Sequence, residues 1–232
     1  MNDSLQTAYP GVAGSGSLVE RNRVLRNTYW LLALSMVPTV LGAWVGVAYN
    51  FNFFATNPLM GFVAFMAIAY GFFFGIEKTK NSGMGVVLLL AFTFFMGLML
   101  SRLIHSILGF SNGSELIMMA FGGTAVVFVG MASLATTIKR DISGLGKWMM
   151  VGLLGILAAG IANIWLQMPA LFMVISVLAI VIFSAFILYD LKRVVDGGET
   201  NYVTATLSVY LSLYNIFQSL LSLLGIFGGE RD

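Results

Sequence analysis

The side chains that could do chemistry gather near the C-terminal end of the chain, around a single carboxylate. Asp190 is the acidic residue that falls inside or at the edge of an apolar run, and it precedes the charged turn of residues 192–199. A carboxylate in an apolar setting can take up and release a proton, because desolvation disfavours its ionised form. The simpler interpretation is that Asp190 marks a membrane interface beside Lys192 and Arg193. Spacing alone leaves both interpretations open.

The next apolar run carries a set of small polar side chains that we call the polar stripe. Its members are Ser208, Ser212, Asn215, Ser219 and Ser222. Their intervals of four, three, four and three residues place them on one face of a helix. In a membrane such a face must meet protein or a wet cavity. We therefore expect the last helix to be enclosed by the others.

Other candidate groups form weaker patterns. His105 follows Arg102 by three residues near the end of an apolar run, which favours interfacial anchoring, because a lone histidine lacks partner ligands for a metal. Residues 109–113 (GFSNG) match the nucleophile pattern of serine hydrolases, but that pattern needs a strand-to-helix turn in an α/β sheet. We expect no catalytic residue, no metal and no cofactor, and we predict that the protein is not an enzyme.

Composition places these groups in a membrane. Hydrophobic residues make up 59% of the 232-residue chain and charged residues 9%, whereas soluble domains carry about 25% charged residues. Apolar runs near the length of a spanning helix cover residues 29–49, 58–76, 84–109, 116–137, 148–166, 170–189 and 202–227. We predict an all-α membrane protein with seven transmembrane helices. A flexible cytoplasmic tail is expected at residues 1–22 and the transmembrane domain at residues 23–228.

The positions of lysine and arginine predict the orientation in the membrane. With a cytoplasmic N-terminus, most of the 12 basic residues lie on the cytoplasmic side. These residues are Arg21, Arg23, Arg26, Lys78, Lys80, Lys139, Arg140, Lys147, Lys192 and Arg193. An odd number of spans then places the C-terminus on the periplasmic side. The net charge of +2 is explained by this topology and implies no nucleic-acid partner.

Several motifs resemble the Bax-inhibitor-one (TMBIM) family over about residues 24–225. The most specific are residues 24–29 (VLRNTY), 121–125 (FGGTA), 162–164 (ANI), 197–202 (GGETNY) and 212–217 (SLYNIF). They look closest to the bacterial YccA-like branch, which modulates the membrane-bound AAA protease FtsH. The resemblance implies six helices around a central C-terminal seventh, in the bacterial inner membrane.

The resemblance also implies a role for Asp190. Family members studied as calcium leaks carry two aspartates, late in the sixth helix and in the seventh, which act as a pH-sensitive latch. Asp190 matches the first, whereas the second falls on Ser212 in this chain. Asp190 is therefore a candidate proton-sensing gate, with Ser212 and Asn215 as its expected hydrogen-bond partners and Ser208 and Ser219 beside them on the central helix.

Two functions follow from these observations. The first is an integral membrane protein that binds FtsH and modulates its quality control of membrane proteins. The alternative is a pH-sensitive calcium leak with Asp190 as its gate. We favour the first, because the branch-level motifs point to it and one aspartate of the latch is missing.

The orientation can be checked with reporter fusions placed after successive spans. Fusions after Asn50, Lys80, Gly113, Lys147 and Asp232 should report outside, inside, outside, inside and outside, because the basic residues hold their loops in the cytoplasm. The measurement is the activity of a reporter pair that distinguishes periplasm from cytoplasm. A cytoplasmic signal at Asp232 would show that the last helix does not cross fully.

Overall fold

The computed structural model describes residues 12–53, 58–142 and 144–230, with the backbone alone at residues 12–18 and 58. These residues form α1 (Val12–Ala48), α2 (Pro58–Thr79), α3 (Gly83–Leu108), α4 (Gly113–Thr137), α5 (Leu145–Leu166), α6 (Pro169–Asp196) and α7 (Tyr202–Gly228). All seven helices are long and apolar enough to cross a membrane, and the described ranges contain no strand. The predicted fold class is confirmed.

Helix α1 begins well before the first apolar run. Its start at Val12 lies inside the segment predicted as a tail, while its candidate membrane span covers Val19–Ala48. Residues 1–11 lie outside the described residues. The division of the chain into a tail at residues 1–22 and a membrane domain therefore stays a prediction.

Helix α7 lies at the centre of the bundle. It contacts α1, α2, α3, α4 and α6. Of its most apolar stretch of 18 residues, 39% is buried inside the bundle. Helix α5 departs from the expected ring of six, because among the described helices it packs against α6 alone. Only 6% of its most apolar stretch of 18 residues is buried. Five helices thus surround α7, and α5 forms an outer layer on α6.

The most extensive interface joins α1 and α3, and glycines make it possible. A Cβ added at Gly42 would lie 2.1 Å from the carbonyl oxygen of Phe94, and one added at Gly97 would lie 2.1 Å from that of Thr39. The two backbones therefore approach to a distance that only glycine permits, as in other small-residue contacts between membrane helices. Gly71 of α2 differs, since nothing lies within 4 Å of its added Cβ.

This difference predicts opposite results for the same substitution at two sites. Gly97→Ala should lower the free energy of unfolding by about 1–3 kcal/mol, because the added methyl forces the backbones of α1 and α3 apart. Gly71→Ala is the matched control and should raise it by up to about 1 kcal/mol, because the added methyl meets open space and alanine favours a helix over glycine. Denaturant titration of both variants in detergent measures the effect. Equal stability of the two variants would contradict the close α1–α3 contact.

Candidate functional site

The turn from α6 to α7 is determined by glycine and backbone hydrogen bonds. Gly197 has a φ of +80°, the left-handed conformation that commonly ends a helix. Its N–H donates to the carbonyl of Val194 at 3.1 Å, and the N–H of Gly198 donates to that of Arg193 at 2.8 Å. A Cβ at Gly197 would also lie 2.7 Å from Nε of Arg21 in α1. The left-handed conformation therefore favours glycine here, whereas the flexible side chain of Arg21 could move to admit a Cβ.

Asn201 begins α7 and joins it to the loop between α2 and α3. Its Oδ1 accepts the backbone N–H groups of Val203 at 2.9 Å and Thr204 at 3.2 Å, which is an N-cap. Its Nδ2 donates to the carbonyl of Lys80 at 3.1 Å and to Oδ1 of Asn81 at 2.8 Å. One amide thus caps the central helix and holds its first turn against two neighbouring helices.

Asp190 is half-buried on α6, close to this turn. The cations beside it in sequence have other partners, since Lys192 forms an ion pair with Asp196 and Arg193 lies 4.0 Å from the carboxylate of Glu199. Within the described part of the chain, Asp190 makes neither a hydrogen bond nor an ion pair. No hydrogen bond or ion pair to a described residue therefore fixes the position of this carboxylate.

The expected partners of Asp190 on α7 are not bonded to it. Asp190 lies six residues before the end of α6, and Ser208 lies six residues after the start of α7. Counted from the turn that joins the two helices, they are therefore at roughly the same level. Ser212 is about 6 Å further along the helix at 1.5 Å per residue, and the amide of Asn215 donates to the carbonyl of Leu211 at 2.8 Å. The expected bonds from Ser212 and Asn215 are thus absent here, and a gating role for Asp190 stays a prediction.

Two tyrosines of α7, the buried Tyr210 and the half-buried Tyr214, bond to neighbouring helices. The hydroxyl of Tyr210 lies 2.8 Å from Oγ1 of Thr39 in α1 and also donates to the carbonyl of Thr93 in α3 at 3.4 Å. The hydroxyl of Tyr214 donates to the carbonyl of Met96 in α3 at 3.2 Å. Neither tyrosine was predicted from the sequence to bond a neighbouring helix. Their four-residue spacing places both on one side of a spanning helix. A buried tyrosine hydroxyl needs a hydrogen-bond partner, so this spacing could have identified them.

The polar stripe lies on the other side of α7, towards α6 and α5. Ser212 and Ser222 are buried, and Ser208, Asn215 and Ser219 are half-buried. One half of the stripe lines a space of about 170 Å³ between α5, α6 and α7, which we call the cleft. The stripe therefore faces protein along part of its length and a cavity along the rest, as its spacing predicts.

A larger cavity of about 730 Å³ lies at the C-terminal end of α7, between α3, α6 and α7. Phe172 and Ser222 line both this cavity and the cleft, so the two spaces are adjacent. At the opposite end of α7, the buried Oγ1 of Thr204 has no hydrogen-bond partner among the described residues. Polar side chains thus follow one side of α7 from its first turn to this cavity.

The loop that resembles a hydrolase motif has a structural role. Nδ2 of Asn112 donates to the carbonyl of Gly228 at 2.6 Å, and its Oδ1 accepts the N–H of Glu230 at 3.2 Å. The N–H of Ser111 donates to the carbonyl of Glu230 at 3.1 Å. Residues 109–113 therefore fasten the C-terminal end of α7.

The remaining candidates lie at the surface. Arg102 and His105 are both exposed, and Nη1 of Arg102 is 3.5 Å from Oδ1 of Asn52. The described ranges contain no group of three or more histidine, cysteine, aspartate or glutamate residues that could hold a metal ion.

Comparison with known proteins agrees with this architecture. The family model described as "Inhibitor of apoptosis-promoting Bax1" matches residues 21–229. The "Modulator of FtsH protease YccA" of Escherichia coli is 40% identical over 216 residues, which cover 93% of this chain and 94% of that protein. An uncharacterized protein of Neisseria meningitidis is 37% identical over 214 residues, with 91% and 94% covered. An uncharacterized protein of Pseudomonas aeruginosa is 37% identical over 211 residues, with 91% and 92% covered.

One Escherichia coli relative carries the name "Inner membrane protein YccA". Together with seven candidate spans, this name supports a multi-pass protein of the inner membrane. The family match covers the helical bundle from residue 21 of α1 onwards, including the α6–α7 turn and the central helix. The chain therefore belongs to the Bax-inhibitor-one family.

Proposed function

We propose that this protein binds the FtsH protease in the inner membrane and modulates its quality control of membrane proteins. The observation that carries the proposal is the 40% identity, over nearly the full length of both chains, to a relative named as a modulator of that protease. A modulator of this kind needs a contact surface but no catalytic group. The helix faces and the capped α6–α7 turn could supply such a surface.

The α6–α7 turn forms a rigid surface at one end of the bundle. The ion pair of Lys192 with Asp196 and the bonds of Asn201 to the α2–α3 loop hold it in place. Arg21 of α1 packs against the same turn at Gly197. The distribution of basic residues predicts that this end faces the cytoplasm. A membrane-bound AAA protease would meet this surface beside the N-terminal segment.

The proposal predicts a complex and a role for the residues before α1. FtsH should co-purify with the tagged protein in detergent, because the proposed complex forms within one membrane. Removal of residues 2–11, which precede all seven helices, should lengthen the cellular half-life, because the tail predicted from the sequence would give a AAA protease an end to grip. A pulse-chase in cells with and without FtsH measures this change.

Two results would contradict these expectations. Absence of FtsH from the purified protein under conditions that retain a known FtsH complex would refute the proposed function. A half-life that is unchanged by the deletion while FtsH is present would refute the role of the N-terminal segment alone.

A second function, the pH-sensitive calcium leak, is favoured by one observation. Polar side chains follow α7 from Thr204 to Ser222, which lines both the cleft and the larger cavity. Asp190, counted from the α6–α7 turn, is level with Ser208 near the start of this line. The missing partner is the second carboxylate, whose position holds Ser212.

Calcium flux into proteoliposomes at a series of pH values tests this second function. The wild type and Asp190→Asn should both show little pH-dependent flux, because one carboxylate has no second carboxylate to share a proton with. Ser212→Asp should add a pH-dependent component, since two nearby carboxylates titrate as a coupled pair. A steep pH-gated leak in the wild type that Asp190→Asn abolishes would instead make ion conduction the main function.

A further inference from the structure

The larger cavity lies at one end of the bundle, where α3 and α6 do not meet. Its volume of about 730 Å³ falls in the range of about 300–1,000 Å³ that is usual for pockets holding small organic molecules. Helix α7 contacts both α3 and α6, but among the described residues those two helices make no contact with each other. Phe172 and Ile226 line the space and are 40% and 48% exposed, so its wall reaches the outside of the bundle. In a membrane protein the cavity is therefore open to lipid.

Ser222 of α7 brings a hydroxyl without a partner to this cavity. The residue is only 8% exposed, and its side chain forms no hydrogen bond with another described residue. Other buried serines behave differently, since Ser101 and Ser184 each donate to a carbonyl of their own helix at 2.6 Å. A buried hydroxyl without a partner costs free energy in an apolar setting. Ser222 therefore calls for an acceptor inside the cavity.

The rest of the lining is uncharged. Apart from Ser222, the lining side chains are apolar or absent, with the exception of Ser106. Oγ of Ser106 donates to the carbonyl of Leu103 at 2.7 Å and can still accept a hydrogen bond. A molecule that matches this lining has an apolar body and an uncharged polar group that accepts from Ser222.

A cation lies at the edge of the cavity, on α3. Arg102 precedes Ser106 by four residues, so the two share one side of the helix. Its side chain is exposed, and its printed sequence neighbours offer no charge, because Nη1 lies 3.5 Å from the neutral amide of Asn52. Glu115 and Glu230 lie at the same end of the bundle, but within the described ranges neither forms an ion pair with Arg102. The guanidinium is therefore available to an anion, and its geometry suits phosphate.

From these observations we propose that the cavity binds a phospholipid of the surrounding bilayer. One acyl chain lies against the apolar wall, an ester carbonyl accepts a hydrogen bond from Ser222, and the phosphate lies outside the cavity against Arg102. A phospholipid carries an apolar chain, an uncharged ester and an anionic phosphate in this order. A free fatty acid matches less well, because its charge lies directly at the end of the chain. The basic residues predict that this end is periplasmic, so the lipid belongs to the outer leaflet.

Photolabelling of the purified protein tests the location. The protein is reconstituted in vesicles of phosphatidylethanolamine and phosphatidylglycerol with a trace of phosphatidylcholine that carries a diazirine on one acyl chain. On illumination, peptides that contain residues 103–110 and 222–229, which line the cavity, should be labelled more strongly than those of other lipid-facing helices. Ser106→Phe should reduce this labelling severalfold, because the ring occupies the cavity. Ser133→Phe is the matched control, since Ser133 is exposed on α4 and lines neither space.

Substitution of Ser222 and Arg102 tests the chemistry. Ser222→Ala should reduce the labelling of these peptides about two- to tenfold, the range that corresponds to the loss of one hydrogen bond. Ser222→Thr keeps the hydroxyl and should retain most of the labelling. Arg102→Gln should reduce it by up to about fivefold, as expected for an exposed pair of charges. Arg140→Gln, at an exposed position predicted to lie on the opposite side of the membrane, is the control for the loss of a cation.

Two results would overturn the assignment. If the label is spread evenly over the lipid-facing helices, or if Ser106→Phe leaves it unchanged, lipids contact the protein without a defined site. If Ser222→Ala and Arg102→Gln both label as strongly as the wild type, the cavity holds an apolar chain without the proposed polar contacts, and a phospholipid is the wrong ligand. None of these measurements requires FtsH, so this inference goes beyond the proposed function and can fail or succeed independently of it.

Discussion

The central helix is held in place by hydrogen bonds to the backbones of its neighbours, because the hydrocarbon core of a membrane offers polar groups no other partner. Tyr210 bridges from α7 to both α1 and α3, and Tyr214 adds a second bond to α3. These bonds can form only where α1 and α3 lie close together, and Gly42 and Gly97 make that approach possible. The glycine contact and the tyrosine bonds therefore belong to one three-helix unit.

Two asparagines complete this arrangement at the ends of α7. Asn201 caps the first turn and bonds the α2–α3 loop, while Asn112 bonds the backbone at Gly228 and Glu230 beyond the last turn. Each asparagine uses both its donor and its acceptor, which is why a single side chain can satisfy a helix end and join two segments. The position of α7 along its own axis is thus set at both ends.

Much of the fold could be predicted from the sequence, since lipid requires long apolar helices and about 20 residues to cross. Helix ends were less predictable, because caps rather than apolar content determine them. The apolar run that predicts α6 stops at residue 189, but the helix continues to Asp196, where Gly197 ends it. Likewise, α1 begins at Val12, well ahead of residue 29, where its apolar run starts.

The candidate site was predictable in part. The spacing of the polar stripe correctly predicts a shared face on a central helix, but periodicity carries no information about which neighbour that face meets. Packing of α5 against α6 alone leaves half of the stripe beside the cleft, and no pattern within α7 could show this. Asp190 was expected to bond Ser212 or Asn215, but the level of Asp190 is set by the length of the α6–α7 turn. Counted from that turn, Asp190 is level with Ser208 and about 6 Å short of Ser212 along the helix axis.

The bundle is consequently asymmetric in its hydrogen bonding. On one side, α1, α3 and α7 are joined by close backbone contact and by hydrogen bonds to backbone carbonyls. On the other side, α5 is attached through α6 alone, and the polar groups of α7 have few partners there. The hydrogen-bonding demand of the membrane is thus met more fully on one face of α7 than on the other, where the amide of Gln218 and Oδ1 of Asn215 bond no described residue.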